Sequence, residues 1–353
     1  MTSSPIIIPV FLPFLGCRER CIFCNQRATG GTPVPLLSLR EHLRTSLAQI
    51  PQKEKSRQKQ IAFYGGTLTA LDPEIQIPYF KEVQPLLAEG LIDSIRISTR
   101  PDALSPDLLP LLRKYGTRTI EIGAQSMIEE VLALARRGHS AEDTACATSR
   151  LKEEGFEVGL QLMMGLPGDS LPRFLQTLDG VIHLQPDFVR VHPTLVVKDA
   201  PLASLWRSGR YAPLSLDEAI EWLKIGLLKL ERASIAVARV GLQPTRELEG
   251  HYLAGPYHPA LRHRVDSAIF LDMAASLIAD HRVGPRAEFL CHPGDLSVFR
   301  GQKNDNLLRL RTRFQLEEVS VHSLDSVPRG SLVLQMGQAN LTIRRTDLRY
   351  ENN

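Results

Sequence analysis

Residues 6–26 read IIIPVFLPFLGCRERCIFCNQ. The apolar run Ile6–Phe11 has strand length, Pro13 and Gly16 end it, and Cys17, Cys21 and Cys24 follow in C-x3-C-x2-C spacing. The stretch reads as a buried strand running into a loop that carries three thiols. The stretch is too short to span a membrane, carries Pro9 and Pro13, and precedes the first basic residue, Arg18. It is therefore expected to be neither an anchor nor an export signal. A cytoplasmic protein with reduced thiols is expected, and an odd total of five cysteines fits a metal site better than disulfides.

Three thiolates on one tight loop can hold three irons of a cubane cluster and leave the fourth open to a small chelating molecule. A zinc knuckle completed by a distant histidine such as His42 is one alternative, and ordinary buried cysteines are another. Structural zinc sites usually draw on paired C-x2-C units, however, and this chain has no second pair. Cys146, on a predicted helix, and Cys291, in the C-terminal part, are expected to be structural.

Outward from the cysteine loop, strand-like runs recur at 60–64, 94–98, 118–122, 156–163, 187–192 and, more weakly, 234–240. Helical patterns at 36–50, 74–89, 106–115, 127–137, 141–154 and 171–183 alternate with them. That alternation implies parallel strands with crossover helices, here an α/β fold with a partial (β/α)6-type barrel over residues 1–240. Residues 241–353 read as a C-terminal extension. It comprises a Gly/Pro/His loop at 241–263, a helix at 264–280, and a small α+β cap with strands at 287–291, 307–310, 318–322 and 332–336. With 353 residues and 43% apolar content, neither a disordered chain nor a disulfide-stapled one is expected. A net charge of +3 is too mild to argue for nucleic acid by itself.

Each later strand ends in polar residues or glycines. The segments are Phe63-Tyr64-Gly65-Gly66-Thr67, Ile97-Ser98-Thr99-Arg100-Pro101-Asp102, Glu121-Ile122-Gly123-Ala124-Gln125-Ser126 and Gln161-Leu162-Met163-Met164-Gly165-Leu166-Pro167-Gly168. Paired glycines let backbone approach a ligand and offer carbonyls to an ammonium group. Arg137, in Arg136-Arg137-Gly138-His139-Ser140, can pair bidentately with a carboxylate, and Gln125 or Gln161 can bind ribose hydroxyls. Singly, each is an ordinary turn or surface group; their recurrence at successive strand ends carries the reading.

With G-C-R-E-R-C-I-F-C-N-Q at 16–26, this order resembles the radical S-adenosylmethionine superfamily. The resemblance implies a 4Fe–4S cluster on Cys17, Cys21 and Cys24, with S-adenosylmethionine bound beside it. It places Phe23 beside the adenine and Gly65, Gly66 and Thr67 around the methionyl amine. Ser98 joins the cofactor contacts, Arg137 takes the carboxylate, and Gln125 and Gln161 take the ribose. Thr67 stands where many members carry an acidic residue, so no carboxylate contact is expected there. The implied reaction is reductive cleavage to a 5′-deoxyadenosyl radical, fed by a one-electron donor such as flavodoxin or ferredoxin.

The succession T-R-P-D, G-A-Q-S, R-R-G-H-S and M-M-G-L-P-G narrows the likeness over residues 6–235. It is similar to the radical domain of the Elongator catalytic subunit, a tRNA wobble-uridine modifying enzyme, with Gln161 where those proteins have a histidine. The segments at 241–245 and 254–259 bring the chain nearer to shorter bacterial Elongator-like proteins without the acetyltransferase domain. A more distant likeness is to oxygen-independent coproporphyrinogen III oxidase. The implied substrate is RNA, tRNA included. The alternatives are a tetrapyrrole-like small molecule, or a non-catalytic, metal-stabilised RNA-binding or scaffold protein.

His251, His258 and His263 crowd one segment. His258 is open between substrate or proton-relay chemistry and backbone bonding, while the other two are expected to bond backbone. Arg309, Arg311, Arg313, Arg344, Arg345 and Arg349, with Lys53, Lys55, Arg57 and Lys59, read as solvated charge in preference to an RNA-facing surface.

Overall fold

The computed structural model describes residues 5–350 apart from 19, 31–32, 282 and 338. Seven strands form one sheet: β1 (Ile6–Leu12), β2 (Lys59–Gly65), β3 (Ser94–Thr99), β4 (Thr117–Gln125), β5 (Glu157–Met164), β6 (Phe188–Pro193) and β7 (Ala236–Val240). Their spatial order follows the chain and every pair is parallel. The period-2 alternation of a strand sends Phe63 outward, where it packs edge-on against Tyr79 and Phe80 of the helix Pro73–Ala88. It sends Tyr64 inward. Four strands away on β6, Arg190 Nη2 donates to the Tyr64 hydroxyl at 3.1 Å. Flat strands at about 4.8 Å spacing would hold those backbones on the order of 19 Å apart, so the sheet curls into a half-barrel.

The chain divides into two compact units, residues 1–214 with 235–257, and residues 215–234 with 258–353. The expected boundary at 240 is therefore displaced in both directions. The segment expected to be a loop contains the helix Arg246–His251, whose N-cap Thr245 accepts from the Leu248 amide. It also contains a short strand, Tyr252–Ala254, paired antiparallel with Val196–Val197. Conversely, Leu216–Arg232, outside the helical patterns named above, is a helix of the second unit, opened by a Ser215/Glu218 capping box.

The second unit has a four-stranded sheet of β8 (Arg286–Cys291), β9 (Glu318–Ser323), β10 (Ser331–Met336) and β11 (Ala339–Arg344), ordered β9-β8-β10-β11. The run 307–310, expected to be a strand, lies inside the helix Asp305–Phe314. Asn306 and Leu310 are buried while Leu308 is 61% exposed, a helical i,i+4 burial that a short apolar run cannot reveal. Arg345 is no free surface cation: it reaches Glu231 at 3.0 Å and Asp266 at 2.8 Å. Among the described residues, no helix is long and apolar enough to cross a membrane.

Candidate cofactor site

The cysteine loop leaves β1 and is held from three sides. From the end of β2, the Gly66 amide donates to Leu12 O at 2.9 Å and the Thr67 amide to Leu15 O at 2.7 Å. From the segment after β4, Ala135 O accepts from the Ile22 amide at 3.2 Å. From the segment after β6, the Leu202 amide donates to Ile22 O at 2.8 Å, and Asn25 Nδ2 donates to Lys198 O at 2.8 Å. Asn25 also caps the helix Gln26–Thr29 by accepting from the Arg27 and Ala28 amides. The next side chain, Gln26, accepts from the Phe14 amide and points its Nε2 at Cys17 Sγ, 3.7 Å away. Sequence reasoning missed Asn25 and Gln26, although C-N-Q stands in the motif it quoted.

The glycines have a backbone role here. A Cβ on Gly66 would lie 2.1 Å from Leu15 O, and one on Gly16 would lie 2.2 Å from Thr67 O. Gly16 also has φ +76°. Gly66→Ala is expected to push the loop off the sheet, costing about 1–3 kcal/mol and lowering iron uptake several-fold. Denaturant midpoint and iron per chain check it, and unchanged values for both would remove the clamp argument.

Two of the expected residues, Thr67 and Arg137, approach the sulfurs. Cys17 Sγ lies 3.5 Å from Thr67 Oγ1. Arg137, buried, donates from Nη1 to Cys21 Sγ at 2.9 Å and from Nη2 to Gly123 O at 2.6 Å, and its Nε is buried without a partner. The Gln125 amide and the Arg137 guanidinium both close on Gly123, where a Cβ would crowd them, 3.0 Å from Nε2 and 3.3 Å from Nη2. Gln125 itself ends β4 at φ 66°, where a side chain is strained. Ser98 faces the same interior, half-buried near the end of β3. Phe23 packs against both Ile22 and Tyr211 on one side and Val131 and Leu166 on the other, so it is a wedge between two apolar clusters.

Gln161 is brought to a residue outside the expected set. Its Nε2 lies 3.3 Å from His192 Nε2, and His192 Nδ1 lies 3.0 Å from Gly241 O. A carbonyl can only accept, so Nδ1 carries the proton and Nε2 accepts from Gln161. The Gln161 carbonyl oxygen is then the end left to meet a ligand.

Burial, then the neighbouring Arg190, lowers His192 to about 4; burial, then Arg137, does the same for His139. Both folded values lie below the ordinary histidine value, so their contribution is complete above about 6.5 and is lost as pH falls toward 4, at ~1.4 kcal/mol per unit. The denaturation midpoint is expected to drop over that window, with a shallower slope in His192→Gln. An identical slope in the variant would contradict the assignment.

The site holds the chemistry of an iron–sulfur ligand set. Burial pushes the Cys24 thiol up to about 12, with the crowding of Cys21 and Cys17 adding to the effect and Gln26 and Arg137 opposing it. Thiols so placed ionise when a soft cation enters. Among the described residues, no three His, Cys, Asp or Glu side chains are grouped to hold a single metal ion. Cubane thiolates each bind their own iron and need no common point. His42 is exposed on the helix Leu39–Ala48.

His251 Nδ1 bonds Glu247 O, and His258 Nδ1 accepts from the Ala260 amide, so both bond local backbone. Cys146 is exposed and Cys291 is buried in the second unit. A cavity of about 500 Å³, lined by Gln60, Ser94, Thr119 and Glu157, opens at the N-terminal ends of the strands, away from the cysteine loop.

The Radical SAM superfamily model matches residues 11–180, and the Radical_SAM C-terminal domain model matches residues 186–270. The tRNA uridine(34) acetyltransferase of Methanocaldococcus infernus is 30% identical over 241 residues, covering 57% of this chain and 45% of that protein. Protein YhcC of Escherichia coli is 27% identical, over 57% of this chain and 64% of its own length. The chain spans about half the length of the acetyltransferases it matches. In structure, M. infernus Elp3 with an N-terminal deletion superposes with a TM-score of 0.61 at 22% identity, over 78% of this chain and 64% of that one. With a half-barrel of seven parallel strands, three cysteines clamped at its rim and two consecutive family models along its length, this chain belongs to the radical S-adenosylmethionine superfamily, whose cofactors are a 4Fe–4S cluster and S-adenosylmethionine.

Proposed function

We propose that this chain is an enzyme that cleaves S-adenosylmethionine reductively and uses the resulting radical on RNA. The observation that carries the first half is the clamped loop of Cys17, Cys21 and Cys24 with the buried Arg137 bonded to it. Cys17, Cys21 and Cys24 would hold the cluster, and the bound cluster supplies the electron for cleaving the sulfonium. Arg137 has a guanidinium already drawn to the sulfurs and a buried Nε to spare, which suits the carboxylate of the methionyl group. Gln161, oriented by His192, and Gln125, held at the strand end, offer amides to ribose hydroxyls. The RNA half rests on the relatives named tRNA uridine(34) acetyltransferase and on the order of motifs shared with the Elongator radical domain.

The test is anaerobic. The chain is reconstituted with iron and sulfide, reduced with dithionite and given S-adenosylmethionine, and 5′-deoxyadenosine is measured. Its appearance is expected, together with a salt-dependent shift of tRNA. Zinc loading in place of iron would overturn the cofactor reading. Cleavage without any tRNA binding would overturn the RNA reading alone.

A further inference from the structure

One layer below the rim, the barrel interior holds more positive charge than it neutralises. Glu121, 1% exposed, accepts from Arg96 Nη1 at 2.6 Å and from the Tyr64 hydroxyl at 2.8 Å through Oε1. Its Oε2 lies 3.2 Å from Arg190 Nε, but out of alignment, so both atoms are buried without a hydrogen bond. Arg96 has a second carboxylate at 3.9 Å, the half-exposed Glu157. Arg239, on the edge strand β7, bonds only the neutral Gly241 O and Gln243 Oε1. Among the described residues, no carboxylate pairs with it.

The register makes this arrangement specific. Gln161 of β5 stands opposite Arg190 of β6, which stands opposite Arg239 of β7. The β6–β7 pairing runs Val189 to Val237 and then shifts by one residue, and only that shift sets Arg239, in place of Ala238, against Arg190. Two arginines are thereby placed at neighbouring register positions, beside Gln161. Arg239 and His192 also share Gly241 O as their partner, which draws both toward the same corner. Partly buried like charges repel, an arrangement that costs stability unless an anion joins them.

We propose that Arg190 and Arg239 bind an oxyanion carried by the substrate, a phosphate or a carboxylate, beside Gln161. Guanidinium forks match both groups in geometry and charge. Burial, and then Arg190, lower the pKa of Arg239, as expected for a cation held beside another. The position relative to the cofactor rests on the function proposed above; the anion chemistry does not.

The experiment titrates inorganic phosphate, and separately acetate, into the reconstituted full chain at low ionic strength by calorimetry, with chloride as the control. Saturable binding is expected, weakened at least tenfold in Arg239→Gln and only partly restored in Arg239→Lys, which keeps the charge but not the fork. Tighter phosphate binding assigns a phosphorylated substrate, and tighter acetate binding assigns a carboxylate. Phenylglyoxal labelling of the wild-type chain, read by mass spectrometry, serves if the variant does not fold. The anion is then expected to protect Arg190 and Arg239 but not the exposed Arg286. Equal affinity in wild type and Arg239→Gln, no saturable binding of either anion, or no protection overturns the proposal. A chain that binds phosphate through Arg239 but loads no iron refutes the cofactor reading alone. One that cleaves S-adenosylmethionine but binds neither anion refutes this inference alone.

Discussion

Cys21→Ala is expected to bring iron per chain to background and to abolish 5′-deoxyadenosine formation, while leaving the half-barrel folded. The backbone around Cys21 does not depend on the thiol, because Ile22 is anchored through both its amide and its carbonyl, to Ala135 and Leu202. The side chain is small, so its loss opens little space. Its removal strips Arg137 of one of two partners and leaves the guanidinium on Gly123 O. A cubane needs all three thiolates of a loop like this, which is why the expected loss is complete and not graded. Iron content and product are measured after anaerobic reconstitution, with circular dichroism as the fold control. Iron at the wild-type level would remove the ligand assignment.

Glu121→Ala is expected to lower stability by about 3–5 kcal/mol, because it leaves buried guanidiniums without their counter-charge. Arg96, with its side chain 5% exposed, would keep only the half-exposed Glu157 at 3.9 Å, and Arg190 would lose the carboxylate at 3.2 Å. Tyr64 would lose the acceptor of its hydroxyl. In the wild type, burial and Glu121 hold that phenol well above its ordinary value. The denaturant midpoint reports the loss. Added phosphate is expected to recover part of it if the arginines accept an anion, whereas a midpoint equal to wild type would mean that the network is not a stabilising unit.

All seven sheet strands were legible in the sequence because each is a short apolar run between helical patterns, and parallel pairing with crossover helices follows from that alternation. The cysteine loop was legible for a different reason: three thiols in eight residues are rare, and their position after a strand places them at a rim. Local reading failed where apolar spacing is ambiguous. The run 307–310 suits either period, and only packing around Leu310 makes it a helix. It failed again at 241–263, where glycine, proline and histidine masked a capped helix and a short strand.

What the sequence by itself determined is the class of fold, the cluster of three cysteines and the order of the rim motifs, because these are properties of neighbouring residues and their types. Tertiary structure alone decided which distant side chains meet. Gly66 is needed because Leu15 O approaches from the loop after another strand, and Gln161 is oriented because His192 lies across a register. Arg239 stands beside Arg190 only because a one-residue shift in the pairing puts it there. A strand's period assigns each residue a face, but the residue beside it is chosen by the alignment of two segments far apart in the chain, and that alignment is set by packing over the whole sheet.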